Sequence, residues 1–310
     1  MFTRTLQHEK SSIRKRVKHF GLSLRDSPIS FSKANKLFFL CGGTRKHDLP
    51  SRRREAIKNF IQGLSPEYTV IYAEGVFSEL LSLGHKKNIL DLEHVISDIA
   101  DRILIVLESE SAFCELGAFA HATFRKKLII VNDERFLQSE SFINLGPINA
   151  AKEANAPVLW YPMGEGVEEL DGIGRIFTKL EATLQESSKH PTPKKYDKWE
   201  NFKSDKDSLY FVHDMVLLTG PISYGELIKI FELLYGSQRF DLLKDLLAVL
   251  RASKLIERFE VNNVAILRAL TPTPLFNYHP GFNWQAMMAA FRSYHFQTQP
   301  KRFEHAKPNR

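Results

Sequence analysis

The sequence predicts a doubly wound α/β domain on a mostly parallel sheet, followed by a smaller helical module with a β-hairpin. Three observations carry this. Short, wholly apolar runs alternate with helical periodicity up to about residue 186, as in parallel sheets covered on both faces. Beyond a Pro- and Lys-rich stretch the pattern changes to three helices and a hairpin. The 310 residues are long enough for two domains with a proper core.

Residues 1–34 are polar, basic and weakly periodic, and read as an arm or a short helix. Lys36 to Cys41 is the first strand. Gly42-Gly43-Thr44 turns the chain, with Arg45 and Asp48 after it; Asp48 is the expected N-cap of a helix carrying Ile57, Phe60 and Ile61, and Pro50 sits near its start. Tyr68 to Ala73 is a second strand, closed by Glu74 and Gly75. Leu80 to Ile99 is helical with a break near Gly84, and Ile103 to Leu107 is the third strand. A helix over Ser111 to Phe124 follows, then a strand from Leu128 to Val131 ending at Asn132 and Asp133. Val158 to Tyr161 is a fifth strand, and Leu170 to Leu184 a closing helix. The α/β domain so drawn spans 35–186, and 187–206 is a linker.

Within 207–271, helices are expected over Leu209 to Leu218, from Ser223 to Gly236, and over Asp241 to Arg251. Ser223 and Glu226 form a capping-box signature. Leu255 to Val261 and Val264 to Leu270 flank Asn262-Asn263, a tight-turn pair. Three helices and a hairpin suggest a winged-helix module. The tail, 272–310, is basic and aromatic and too short of aliphatics to form much core alone.

Charge is uneven. Residues 1–60 hold 15 Lys+Arg against 4 Asp+Glu, and 292–310 hold 5 against 1, so the middle of the chain is acidic although the whole is +7. Basic ends suit a polyanion such as DNA or RNA. The third helix of the module is expected to expose Asp241, Lys244, Asp245 and Arg251, a mixed face that suits protein docking as well as DNA. Tyr278, Trp284, Phe291, Tyr294 and Phe296 offer either base stacking or packing across the domain junction. Cys41 and Cys114, both in apolar surroundings, make a disulfide scaffold or zinc site improbable and a reducing cytoplasm the simplest compartment. No apolar run is long enough to span a bilayer, and the N-terminus lacks a signal-peptide core. The eleven histidines show no metal-ligand spacing, His121 reads as a packed or exposed helical residue, and no metal is expected.

Ligands of open α/β sheets bind outside the carboxyl ends of the strands. The residues there are the candidates. Glu115, in the first turns of the helix after strand three, is the first choice for a catalytic group: a glutamate can capture the anomeric carbon of a ribosyl group as the base departs, and water or another acceptor then resolves the ester. Gly42, Gly43 and Thr44 let backbone approach a ligand, and Arg45 would clamp a phosphate. Glu108 or Glu74 would hold ribose hydroxyls. Ser109 and Ser111 would donate to phosphate or ribose, or cap the helix. Asn132 and Asp133 end strand four on the ligand side.

The stretch Leu107-Glu108-Ser109 through Cys114-Glu115-Leu116-Gly117-Ala118-Phe119 resembles the Glu-Leu-Gly pattern of the nucleoside 2-deoxyribosyltransferase-like superfamily. With Phe142-Ile143-Asn144-Leu145-Gly146-Pro147 and the appended module, the chain resembles the effector proteins of type II retrons. The resemblance implies a Rossmann-like, flavodoxin-like fold, N-glycosidase activity with Glu115 as the catalytic glutamate, and NAD as a substrate rather than a cofactor. It also implies an antiphage toxin causing abortive infection, held inactive by a retron reverse transcriptase with its noncoding RNA and msDNA. A homo-oligomer without membrane contact is expected. The Cys41-Gly42-Gly43-Thr44 turn departs from the Gly-Pro turn usual in the superfamily, which favours hydrolysis over transfer to an acceptor base. The base-binding acid is left among Asp98, Asp101 and Asp133. The other readings are a nucleotide-sensing winged-helix DNA-binding regulator and a nucleoside or nucleotide deoxyribosyltransferase.

Overall fold

The computed structural model describes residues 2–31, 35–82, 88–185 and 193–304. The chain divides into two compact units, one formed by residues 34–189 and the other by 1–33 together with 190–310.

Two helices open the chain, α1 (Phe2–Gln7) and α2 (Ser12–Asp26). The expected basic arm is therefore folded. Its reason is a stripe that the high charge conceals: Ile13, Val17, Phe20 and Leu24 recur on one face of α2 and are all buried.

The unit 34–189 is a five-stranded parallel sheet. Its strands are β1 (Lys36–Cys41), β2 (Tyr68–Ile71), β3 (Arg102–Val106), β4 (Leu128–Asp133) and β5 (Val158–Tyr161), in the order β2-β1-β3-β4-β5. This is the flavodoxin-like order of a doubly wound α/β fold, and the direction of winding reverses between β1 and β3. The intervening helices are α3 (Arg52–Leu64), α4 (Ala73–Ser82), α5 (Ile89–Ile99), α6 (Glu110–Phe119), α7 (Asn149–Glu153) and α8 (Phe177–Gln185). Alternate strand residues feed opposite layers. Phe38, Leu40, Leu104, Val106, Ile129 and Val131 pack with Ile57 and Ile61 of α3 and Leu180 and Leu184 of α8. On the other face Phe39 meets Phe119 of α6 edge-on, with ring centroids 5.9 Å apart.

Several boundaries differ from expectation, each for a local reason. Ser51, not Asp48, caps α3, accepting from Arg54 N at 3.1 Å. Strand two ends at Ile71, and Glu74 and Gly75 fall in the first turn of α4. The expected break near Gly84 lies outside the described residues, between α4 and α5. The helix after β3 ends at Phe119, five residues early. The closing helix starts only at Phe177, after a 3-10 turn over Ile173–Ile176. Cys41 is buried, but Cys114 is exposed on α6.

The other unit continues with α9 (Lys206–Thr219), α10 (Tyr224–Tyr235) and α11 (Asp241–Ala252), then a hairpin of β6 (Ile256–Val261) and β7 (Val264–Ala269), and α12 (Trp284–Thr298). Ser223 and Glu226 form the full capping box on α10. Asn262 and Asn263 have φ of 50° and 62°, the left-handed pair that a two-residue hairpin turn requires. Ile222 and Ser223 add a third strand beside β7. Three readings of this region are corrected. Tyr196, Trp199 and Phe202 of the expected linker join an aromatic cluster with Phe211 and Phe231. Asp245, expected on the exposed face of α11, is buried. Tyr278 and Phe291 of the tail pack inside their own unit: Tyr278 donates to buried Asp214 at 3.0 Å, and Phe291 lies against Phe2. The tail is held because Arg302 donates to both carboxylate oxygens of Glu226, at 2.8 and 2.9 Å. No helix among the described residues is long and apolar enough to cross a membrane.

Candidate active site

The switch point of the sheet lies at the carboxyl ends of β1 and β3. Gly42 and Gly43 leave β1 there, and Glu108 leaves β3 two residues after its end. Ser109 caps α6, accepting from Ala112 N at 3.3 Å, and its hydroxyl lies 3.0 Å from that of exposed Ser111. The helix so started carries Glu115 inward. One of its carboxylate oxygens, Oε2, is buried with no hydrogen-bond partner among the described residues.

Glu115 shares its surroundings with Glu93 of α5, Glu74 of α4 and Arg54 of α3. Burial is the larger cause of its raised pKa, about 8, and the Glu93 charge adds to it; Arg54 partly offsets both. Glu93 is itself pushed up to about 7 by burial and then by Glu74. Burial pushes Glu74 up as well, but hydrogen bonds from Arg54 at 2.7 and 3.1 Å overcome it and hold Glu74 below the usual carboxylate range. The Cys41 thiol beneath is raised by burial and then by Glu115. Among the described residues the site is thus a half-buried acid cluster with one compensating cation and one unsatisfied carboxylate oxygen.

The other candidates divide sharply. Gly42 has φ +148°, and a Cβ there would stand 3.0 Å from Arg54 and from Glu108; at Gly43 it would stand 2.5 Å from Val167. Both positions require glycine because Arg54 and the 163–171 loop pack directly over the turn. Thr44 is exposed, with its hydroxyl 3.4 Å from Glu74. Arg45 does not face a ligand: it donates to Pro50 O at 2.6 Å and to Glu55 at 2.5 Å, pinning its own loop to α3. Glu108 is likewise engaged by protein. Its Oε1 accepts from Gly43 N at 3.0 Å and Ser51 Oγ at 2.5 Å, and its Oε2 from Arg53 at 2.8 Å. Asn132 is buried and accepts from Asp133 N. Asp133, held below its ordinary value by Arg135 despite burial, accepts from Arg135 Nε at 2.7 Å. Asp98 and Asp101 precede β3 and lie at the amino end of the sheet, away from Glu115; Asp101 there accepts from Leu37 N at 2.8 Å. His121 is exposed just past α6. No metal-binding group of His, Cys, Asp or Glu occurs among the described residues.

Three residues of the site went unpredicted: Arg53, Arg54 and Glu93. Arg53 and Arg54 are both 1% exposed. Arg54 donates to Leu40 O at 3.0 Å and Gly43 O at 3.2 Å, and its guanidinium lies 4.6 Å from the Tyr72 ring centroid. Arg53 links Glu108 to Asp171 and to Gly164 O and Gly166 O, so it ties the loop after β5 to the rim. The sequence carries one clue. Arg52, Arg53 and Arg54 occupy the first turn of α3, where cations oppose the helix dipole, so their presence needs another reason. Beside this rim lies a cavity of about 310 Å³, lined among others by Arg53, Ser109, Phe113, Asp133 and Arg135.

A family model described as "STM3845 retron effector protein" matches residues 50–258, from the turn before α3 into β6. The chain belongs to this retron effector family. An Escherichia coli protein named "Retron Ec73 putative ribosyltransferase/DNA-binding protein" is 40% identical over 214 residues, which is 66% of this chain and 68% of the relative. A second from the same organism, "Retron Ec86 putative ribosyltransferase/DNA-binding protein", is 33% identical over 161 residues, 49% of this chain and 51% of the relative. The matched span of this retron effector includes α3, Glu74, Glu93, Glu108 and Glu115, so the acid cluster lies wholly within the family region.

Proposed function

We propose that this retron effector cleaves an N-glycosidic bond, that its substrate is NAD or a closely related nucleotide, and that Glu115 is the nucleophile. The observation that carries the reading is the buried Oε2 of Glu115 at the switch point, without a hydrogen-bond partner among the described residues and amid Glu93 and Glu74. Such a cluster favours a cationic group. In NAD the nicotinamide ring is a cation, and positive charge also develops on the ribose at the transition state. Glu115 attacks C1′, the C–N bond breaks, and its electron pair neutralises the departing pyridinium ring, which leaves as neutral nicotinamide without needing a proton. Water then hydrolyses the glycosyl ester. The substrate cation also lowers the Glu115 pKa on binding, which frees the carboxylate it must attack with.

The fold supports the rest. The strand order and the site at the end of β3 fit a nucleoside 2-deoxyribosyltransferase-like domain, and α9 to β7 fit a winged helix. The names of the two relatives, which join ribosyltransferase to DNA-binding, agree with both. We read the chain as a toxin whose nucleotide depletion aborts infection, and which a reverse transcriptase with its msDNA and noncoding RNA holds inactive. A homo-oligomer and a cytoplasmic setting belong to the same reading. Incubating the purified protein with NAD should release nicotinamide, and Glu115→Gln should abolish release. Release at the wild-type rate from that variant would refute the assignment.

Glu93, with its own pKa near 7, favours a second reading, because a protonated acid beside the nucleophile is what a neutral base needs in order to leave. That reading is hydrolysis or base exchange on nucleosides and nucleotides, and a substrate panel distinguishes it. A DNA-binding regulator that only senses nucleotides would bind NAD without consuming it.

A further inference from the structure

The basic character of the N-terminal sixty residues is not spread evenly. α2 buries Ile13, Val17, Phe20 and Leu24, and turns Lys15, Arg16, Lys18 and His19 to solvent. Among the described residues no carboxylate pairs with Lys15, Arg16 or Lys18. Two cavities, of about 330 and 420 Å³, run beside this face, and both are lined by Lys15, His19 and Gly281, so they form one open trough. Its far wall is the 279–283 loop. There His279 Nδ1 accepts from Gly281 N at 3.0 Å, which fixes an exposed ring, and Phe282 packs on Phe20 with centroids 4.8 Å apart, which fixes the loop. Asp26 is the carboxylate lining the trough, at one end.

We infer that this trough, between α2 and the 279–283 loop, is a nucleic-acid-binding surface that takes a single-stranded segment along its length. Lys15, Arg16 and Lys18 are the phosphate contacts, and the His19 and His279 rings offer faces for bases. The three cations lie within one turn of α2 but fan out along the trough: Lys15 lines both cavities, Arg16 the first and Lys18 the second, so they can meet neighbouring phosphates rather than a single anion. α11 is less suited, because its Asp241 is exposed beside Lys244 and its Asp245 is buried. The inference deepens the nucleic-acid-bearing partner of the proposed function and is independent of the chemistry at Glu115.

The test is fluorescence anisotropy of the full chain with a labelled mixed-sequence single-stranded DNA across a salt series. Three phosphate contacts correspond to a change of about 2 in the slope of log K against log salt, and to about 100-fold in affinity near 0.1 M salt. The triple variant Lys15→Ala, Arg16→Ala, Lys18→Ala should lose both. Lys15→Arg with Lys18→Arg should keep them, and Lys244→Ala on α11 should leave binding within about twofold. Wild-type binding with an unchanged triple variant would overturn the trough while sparing a nucleic-acid partner. Failure of the wild type to bind any strand would overturn both. Equal affinity for poly-glutamate would assign the trough to an acidic peptide and also overturn the inference.

Discussion

Replacing Glu115 by Gln should stabilise the sheet unit, and the gain should grow with pH. A carboxyl whose pKa is raised by folding binds its proton more tightly in the folded chain than in the unfolded one. Its ionisation therefore costs stability as pH rises from its ordinary value of 4.5 to the folded value of about 8. For an isolated group the cost is about 3 kcal/mol at pH 7 and under about 1 kcal/mol at pH 5. Glu93 titrates alongside and shares the strain, which brings the expected gain of Glu115→Gln at pH 7 to about 2 kcal/mol. Glutamine has the same shape and no charge to desolvate, so its other effects are independent of pH. Because the chain has two compact units, a single melting curve would mix them. Hydrogen exchange of amides in Ile103–Val106, the central strand, reports on the sheet unit alone. The slowest of these should exchange about 30-fold more slowly in the variant than in the wild type at pH 7, and only a few-fold more slowly at pH 5. A ratio that does not change with pH, or a variant less protected at pH 8, would refute the view that the site holds Glu115 against its ionisation.

Other consequences follow from the same contacts. Because Glu115 must lose its proton to attack, kcat/KM for nicotinamide release should rise with pH towards about 8 in the wild type. In Glu93→Gln a like charge is gone, so the rise should occur at lower pH; an unmoved profile would show that the two acids do not interact. Arg53→Met removes the guanidinium shared by Glu108 and Asp171 and leaves buried carboxylates unpaired, which should destabilise the sheet unit by about 3–5 kcal/mol, read by hydrogen exchange. Ser223→Ala breaks the capping box of α10 and should cost about 1 kcal/mol of stability in the other unit, with nicotinamide release unchanged.

What could be read from the sequence, and what could not, follows the range of the interactions. β1 and β4 were legible because they are short apolar runs buried on both faces, β5 because it is a short apolar run even at the sheet edge, and the capping box and the Asn262-Asn263 turn because each is fixed within a few residues. The start of α4 was not, because Tyr72 to Gly75 carries no local stop for the strand and no cap for the helix. Glu115 and Glu74 are marked in the sequence by their place after strands, and the fold sets both in one acid cluster. Glu108 and Arg45, expected to face a ligand, are occupied by protein partners, which only the folded chain reveals. The burial of Arg53 and Arg54 depends on carboxylates and carbonyls from 11 to 118 residues away. The N-terminal helices and the tail have no core of their own and are ordered by packing within a unit whose other parts are distant in sequence.

The central claim is that the Glu115 carboxylate bonds to the sugar. Acid-quenching the wild type during turnover of NAD, followed by proteolysis and mass spectrometry, should find the glycosyl ester on Glu115, and the ester should vanish in Glu115→Ala together with nicotinamide release. Turnover in which the Glu115 peptide stays unmodified while another residue carries the sugar would contradict the account.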